Sequence, residues 1–403
     1  MSDILCEVIR AAEKAAEIAR ACRSEEALFQ LLVEKRKGNE SSQNKFTMDF
    51  ITLADVLIQE VIKHDIVKKF PGLEHNISGE ESNHFTNELG DVITVKVCPT
   101  EEETAALLNQ VLNGKMVAAE VLARVVHQDI PITDPVLDAV KLEVPQSTLG
   151  IWVDPIDATY QYIKGCGDSA PIHGIYSHGL QCVTILIGVY DLSTGVPVMG
   201  VINQPFALQD PKSSRWEGQY YWGISYMGTK IFSTQLTTSD DHDEDDSICH
   251  IHRHPDSGEI EYECHHFSVV TSTRETERIK TILSDMCGER LHFAAGAGYK
   301  SLCVVLGLVD IYSISGDYTF RWDSCAAHAI LLSLGGGIVN WEECLKHMKN
   351  GETMLDLPHL VYNVDEAGAD GLYKWSNKGG LIAFKSKEHL ENFLSLLIEK
   401  LGL

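Results

Sequence analysis

Two aspartates three residues apart around a proline, Asp154-Pro155-Ile156-Asp157, close the apolar run 150–153 and lead into Ala158-Thr159. The apolar run reads as a strand. A proline fixes its own φ and holds the residue before it extended, so a rigid turn is expected where the strand ends. A helix starting at Asp157 or Ala158 would set free backbone N–H groups and a positive dipole end beside two carboxylates. Such a place can hold cations on side chains and an anion on amides.

Other carboxylates have settings that are bland when taken singly. Glu80 and Glu81 follow Gly79 at a strand end, and Asp55 stands three residues after Thr52, on one face if helical. Asp323, in Arg321-Trp322-Asp323-Ser324-Cys325-Ala326-Ala327, opens an otherwise apolar, small-residue helix. A solvated loop, a wet helix face and an N-cap would account for them one at a time. Brought together without cations they would repel and raise one another's pKa values. With two or three Mg²⁺ ions they become a template for phosphoryl transfer to water, ions about 3.5–4 Å apart clamping attacking and leaving oxygens. Magnesium suits the set better than zinc, since no His or Cys belongs to it.

The elements that must position these groups can be read from periodicity. Residues 3–37 predict a helical hairpin or one bent helix, 38–44 a turn, and 53–69 a helix stopped by Pro71-Gly72. Strands are expected near 76–78 and 92–98, and a helical pattern from the Thr100 cap to 126 with a break at Gly114. A hairpin over 183–203 and a strand over 218–227 complete an α+β first half, helices followed by an antiparallel sheet. From Phe267 onward strands and helices alternate: strands at 267–271, 309–314, 338–341 and 380–384, helices at 274–286, 298–306, 323–334 and 386–400. That is an α/β second half, and the division expected is 1–235 and 236–403, with a surface loop at 238–266.

Composition narrows the classes. The net charge is −25, from 58 acidic and 33 basic residues, with no basic run to track a phosphate backbone, so no nucleic-acid partner is expected. The longest apolar runs are too short to span a bilayer, and Met1-Ser2-Asp3 begins no signal-type stretch. Eleven scattered cysteines read as thiols of a reducing compartment, so a cytoplasmic monomer is the expectation. The run from Cys249 through His254 to Cys264-His265-His266 matches no zinc spacing. Gly296-x-Gly298 lacks the rest of a dinucleotide fingerprint.

Asp-Pro-Ile-Asp-x-Thr, the upstream Gly-Glu-Glu and the downstream Trp-Asp-x-x-Ala together resemble the lithium-sensitive, magnesium-dependent phosphatases. That family includes inositol monophosphatase, bisphosphate nucleotidase and, more distantly, fructose-1,6-bisphosphatase. The resemblance spans nearly the whole chain and implies a layered αβαβα sandwich of the sugar-phosphatase type. It implies that Glu80, Asp154 and the carbonyl of Ile156 hold one Mg²⁺, with Glu80 shared toward a further ion near Glu81. A second ion falls to Asp154, Asp157 and Asp323, and Asp55 is counted among the metal ligands as well. Thr159 with Asp55 would orient and deprotonate the attacking water, and the amides of Ala158 and Thr159 beside Asp157 would hold the 1-phosphate.

A phosphate that is not hydrolysed would rest on Gly296, Ala297 and Lys300, with Arg274 and Thr276 as a second candidate. Arg274 and Thr276 stand where the family pattern has Ser and Lys, Ile51 where a lysine is expected, and Ala158 where Ser or Gly is. The implied activity is hydrolysis of the 1-phosphate of inositol polyphosphates, the 1,4-bisphosphate and the 1,3,4-trisphosphate, inhibited by Li⁺. Nucleoside 3′(2′),5′-bisphosphates are the alternative substrates, and a non-catalytic binding module on the same fold is the alternative class.

Overall fold

The computed structural model describes residues 3–24, 33–35, 50–87, 89–167, 169–233, 236, 267–351 and 357–403. The chain opens on α1 (Asp3–Arg23), whose Ile4, Leu5, Val8, Ala11, Ala12 and Ala15 are buried. Helix is expected to residue 37, yet it ends at Arg23, and Val33–Lys35 (β1) pairs antiparallel with Phe50–Thr52 (β2). Pairing with a strand distant in sequence overrides the local spacing there. Leu28, Leu31, Leu32, the stretch 38–44 and the His/Cys-rich segment 238–266 lie outside the described residues.

Helix α2 (Leu53–Lys69) stops just before Pro71, where the sequence predicts its end. After β3 (Ile77–Gly79) come β4 (His84–Thr86) and β5 (Val92–Thr94), a separate two-stranded ribbon. The strand expected to reach residue 98 thus ends at Thr94. The helical stretch after Thr100 is broken around Gly114 into α3 (Glu101–Val111) and α4 (Met116–His127), and α5 (Pro135–Ala139) follows.

The first large sheet then forms from β6 (Leu149–Asp157), β7 (Thr184–Asp191), β8 (Pro197–Gln209), β9 (Trp216–Tyr226) and β10 (Thr229–Phe232), with short α6 (Thr159–Lys164) after β6. Its order is β10-β9-β8-β7-β6-β3, antiparallel except for the parallel pair β3–β6. The second sheet has the order β12-β11-β13-β15-β14, from β11 (Val269–Thr271), β12 (Leu291–Phe293), β13 (Ile311–Ile314), β14 (Gly337–Asn340) and β15 (Leu381–Phe384). Its helices are α7 (Glu277–Cys287), α8 (Ala297–Val305), α9 (Arg321–Leu334), α10 (Trp341–Lys349) and α11 (Lys387–Leu401). Of these, α10 and β12 are absent from the periodicity reading.

Helices α1 and α2 cover one face of the first sheet, α8 and α9 lie between the two sheets, and α7, α10 and α11 cover the far side of the second. That is the five-layer α-β-α-β-α order. The middle layer depends on a lane of glycines. Gly188, Gly200 and Gly223 are cross-strand neighbours on β7, β8 and β9. A Cβ on Gly200 would stand 2.1 Å from the Ala326 carbonyl oxygen, and one on Gly188 2.6 Å from the Ala326 nitrogen. Helix α9 therefore lies directly on the sheet backbone, which a larger residue at any of the three would prevent. Among the described residues no helix is long and apolar enough to cross a membrane.

Candidate active site

Strand β6 does not turn away at its proline. It runs through Pro155 to Asp157, pairing Asp154 with Leu186 and Asp157 with Thr184. Between those pairs β6 advances from 154 to 157 while β7 retreats only from 186 to 184, so β6 carries one extra residue as a bulge. This corrects the expected turn and explains the spacing. On a regular strand, positions three apart face opposite sides; the extra residue restores them to one side. Proline is tolerated there because a bulge needs no ladder N–H from it.

Asp154, Asp157 and Asp323 each offer an oxygen within 4.8 Å of the others, and they are 1, 8 and 9% exposed. Asp323 reaches them from the first turn of α9, where Phe320 N donates to its Oδ2 at 2.5 Å. Asp157 is held by the amides of Ala297 and Gly298, at 3.3 and 2.7 Å, and by the Thr184 hydroxyl at 3.3 Å. These are free amides of the first turn of α8, a natural seat for an anion.

Electrostatics mark the cluster as unfinished. Burial, then the charges of Glu80, Asp157, Asp323 and Asp55, hold the Asp154 carboxyl well above the usual carboxylate range. Burial and the Asp157 charge push Asp323 up to about 7. Asp154 Oδ1 is buried and has no hydrogen-bond partner. Such an oxygen costs roughly 1–3 kcal/mol, and hard divalent cations are held by buried carboxylate oxygens of this kind. The residues fit Mg²⁺.

Glu80 and Glu81 serve two different neighbours. Glu80 is half-buried, its amide donates to Val153 O at 3.2 Å, and its charge acts on Asp154. Glu81 is buried and its charge is the largest electrostatic contribution raising Asp55. Gln59 on α2 grips the Glu81 backbone from both sides, accepting from its N–H at 2.9 Å and donating to its carbonyl. Asp55 itself sits in a capping box: the Thr52 amide and hydroxyl donate to its Oδ2 at 2.8 and 2.5 Å. Its Oδ1 stays directed at Thr159 Oγ1, 3.5 Å away. Thr159 Oγ1 also lies 3.0 Å from the Ile156 carbonyl oxygen. Burial and the Glu81 charge push the Asp55 carboxyl up to about 7.

A cavity of about 680 Å³ opens over this floor, lined by Glu80, Asp157, Ala158, Thr159, Asp323 and Lys300 among others. Ala158 is left-handed, φ +67°, and the helix starts one residue later than expected, at Thr159. Successive amides in that αL–αR sequence form an anion-binding nest. That nest, rather than the dipole of a six-residue helix, is what the turn offers.

The expected second-phosphate residues are placed differently from one another. Gly296 and Ala297 line the cavity, but a Cβ on Gly296 would stand 2.9 Å from Asp157 Oδ2, and the Ala297 amide is turned to Asp157. Gly296 thus makes room for a carboxylate of the protein. Lys300 is buried, donates to the carbonyls of Ala294 and Gly296, and lies 5.2 Å from the centre of the Tyr312 ring. Burial lowers its pKa, against the pull of Asp157. Arg274 is exposed at the rim, whereas Thr276 is the N-cap of α7 and is not among the lining residues. Its hydroxyl is spent on the Ile279 amide.

Sequence reasoning missed Gln59, Thr184 and the rim residues Ser177, His178 and Tyr318. Thr184 leaves a faint signal, a single polar residue inside an apolar run; Gln59, beside Glu60, and the rim residues leave none.

The profile of the Inositol monophosphatase family matches residues 4–383. Inositol polyphosphate 1-phosphatase of Homo sapiens is 60% identical over 402 residues, covering 100% of this chain and 98% of that protein. The Mus musculus protein of the same name is 56% identical over 402 residues, with the same 100% and 98% coverage. The 3′(2′),5′-bisphosphate nucleotidase 1 of Homo sapiens is 24% identical over 324 residues, 78% of this chain and 81% of that protein. Likeness sustained from one end to the other, and not one motif alone, shows that the chain belongs to the inositol monophosphatase family.

Proposed function

We propose that this chain is a Mg²⁺-dependent phosphomonoesterase that removes the 1-phosphate of inositol polyphosphates, inositol 1,4-bisphosphate and also the 1,3,4-trisphosphate. One observation carries the chemistry: Asp157 and Asp323 line a cavity beside the Thr159–Asp55 pair and cluster with the buried Asp154, one of whose oxygens has no partner. The substrate is supported by the 60% identity to inositol polyphosphate 1-phosphatase. Residues 1–235 would bring Asp55, Glu80, Glu81, Asp154, Asp157 and Thr159, and residues 236–403 Asp323, Lys300 and Arg274.

Asp154, Asp157 and Asp323 would hold one Mg²⁺, and Glu80, Asp154 and the Ile156 carbonyl another, with Glu81 near a third. When bound, the ions supply positive charge to the phosphoryl oxygens and lower the pKa of water. The chain's own groups do the rest. The nest at Ala158 and Thr159 holds the phosphate's remaining oxygens. Thr159 passes its hydroxyl proton to Asp55 Oδ1 and accepts one from the attacking water. The water oxygen bonds to phosphorus as the ester P–O bond breaks, and the leaving inositol oxygen takes a proton from solvent. The 3.5 Å separation of Thr159 from Asp55 is typical of such a pair before substrate tightens it. Thr52 keeps Asp55 Oδ2 occupied, so Oδ1 is the oxygen left to take that proton. Li⁺ inhibition belongs to the same proposal.

Release of inorganic phosphate from inositol 1,4-bisphosphate and from adenosine 3′,5′-bisphosphate, each with Mg²⁺ and with EDTA, tests it. Turnover of the inositol ester that needs Mg²⁺ and stops with Li⁺ is expected. Preference for the nucleotide would replace the substrate, and binding without release would overturn the enzyme reading.

A further inference from the structure

Behind the first turn of α9, a fully buried side chain grips the segment that carries Asp323 without being among the residues that line the cavity. Asn377, 0% exposed, stands between the 3₁₀ turn Gly371–Trp375 and β15. Its Nδ2 lies 3.0 Å from Thr319 Oγ1, 2.8 Å from Phe320 O and 3.2 Å from Ser324 Oγ. Its Oδ1 accepts from Arg321 Nη1 at 3.2 Å, and its backbone N–H donates to Thr319 O at 2.8 Å. Every one of these contacts falls on Thr319–Ser324, the turn from which Phe320 N reaches the Asp323 carboxylate.

The chemistry at position 377 is specific. The span presents carbonyl and hydroxyl acceptors on one side and a guanidinium donor on the other. A carboxamide offers two N–H donors and one acceptor in a fixed plane, which a carboxylate or an apolar side chain does not. We infer that Asn377 is a positioning residue for the cation: it fixes the Phe320–Asp323 turn, and so the distance of the Asp323 carboxylate from Asp154 and Asp157. The inference rests on the proposed function, since it needs the three aspartates to hold Mg²⁺. Partners that orient metal ligands without touching the metal typically change affinity roughly 10–100-fold when removed.

Calorimetric titration of the full chain with Mg²⁺ alone, without substrate, reads this directly. Asn377→Asp keeps the shape and the Arg321 contact but removes both side-chain donors. Its Mg²⁺ affinity is expected to fall roughly 10–100-fold, with an equal rise in the Mg²⁺ needed for half-maximal phosphate release. An unchanged affinity, even with a lower melting temperature, overturns the inference and leaves Asn377 a packing residue. Should Asn377→Asp not fold, Ser324→Ala deletes one of the three Nδ2 acceptors; about a threefold loss of affinity is expected, and none overturns the inference. A wild-type chain that binds no Mg²⁺ brings down the functional reading, and the inference with it, before any variant is compared.

Discussion

On the floor of the cavity, Asp154, Asp157 and Asp323 are at most 9% exposed, and each is placed by backbone: a bulge, two helix-start amides and a capping turn. At the rim, Arg274 and His178 are exposed, Tyr318 is 47% exposed, and their polar atoms meet mainly local turn residues, such as Ser177 Oγ 2.7 Å from His178 Nδ1. Floor groups hold their geometry whether or not a ligand is present. Rim groups must order when one binds, at a cost in side-chain entropy. On the proposed function, chemistry belongs to the floor and substrate choice to the rim, the usual division between a rigid scaffold and its loops.

Breaking the floor should abolish the reaction. Asp154→Asn removes the charge of the carboxylate whose Oδ1 no hydrogen bond satisfies, and phosphate release is expected to fall about 10³-fold or more, with loss of calorimetric Mg²⁺ binding. A variant with near-normal Mg²⁺ binding would remove Asp154 from the ligand set. Asp55→Asn should lower kcat roughly 10²–10³-fold while leaving Mg²⁺ affinity within a few-fold, if Asp55 acts on the water as proposed. A normal kcat would exclude it as the base.

Gly298→Ala sharpens the contrast by disturbing the floor through backbone alone. Its Cβ would stand 2.4 Å from Thr184 Oγ1, so a stability loss of about 1–3 kcal/mol is expected, together with weaker Mg²⁺ binding as Asp157 shifts. Arg274→Ala tests the rim: KM for the bisphosphate should rise about tenfold with kcat nearly unchanged, because an exposed, solvent-screened cation contributes to binding alone. A fall in kcat instead would place Arg274 in the floor's company.

The smallest effect expected is one of pH. Asp55 and Asp323 are both pushed up to about 7, burial first and a neighbouring carboxylate second. A carboxyl whose folded pKa exceeds its unfolded value of about 3.9 supports the fold fully below that value. That support is lost as pH rises through the folded pKa. In EDTA, then, the melting temperature should drop a few degrees between about pH 4 and pH 7, and Mg²⁺ should restore more at pH 7 than at pH 5. A melting temperature flat across that window in EDTA would show that the cluster is not strained.

Much of this was legible in residue order, though unevenly. Helix α2 and the hairpin of β7 and β8 match the reading because their apolar runs are long and bounded by turn residues. Strand β12, three residues long, left little pattern, whereas α10 was missed despite its Asn340 cap and amphipathic spacing. The turn at Pro155 was misread because a bulge is a property of two strands: nothing in β6 alone says that β7 will advance one residue fewer. Thr276 was likewise misplaced, since whether a threonine at a strand-to-helix turn caps the helix or faces a cavity depends on where the helix begins.

Residue types and spacing determined the chemistry. Oxygen-only ligands select a hard cation, the Asp-x-x-Asp spacing leads into a threonine, and small residues after Asp323 predict a tightly packed helix. Tertiary structure alone decided that the carboxylates converge. A lane of three glycines lets α9 rest on the sheet and carry Asp323 to the β6 bulge, while Gln59 and Asn377 hold segments 22 residues and 53–58 residues away. Convergence is a fact about distances in space, and local sequence encodes only the preferences of its own neighbourhood.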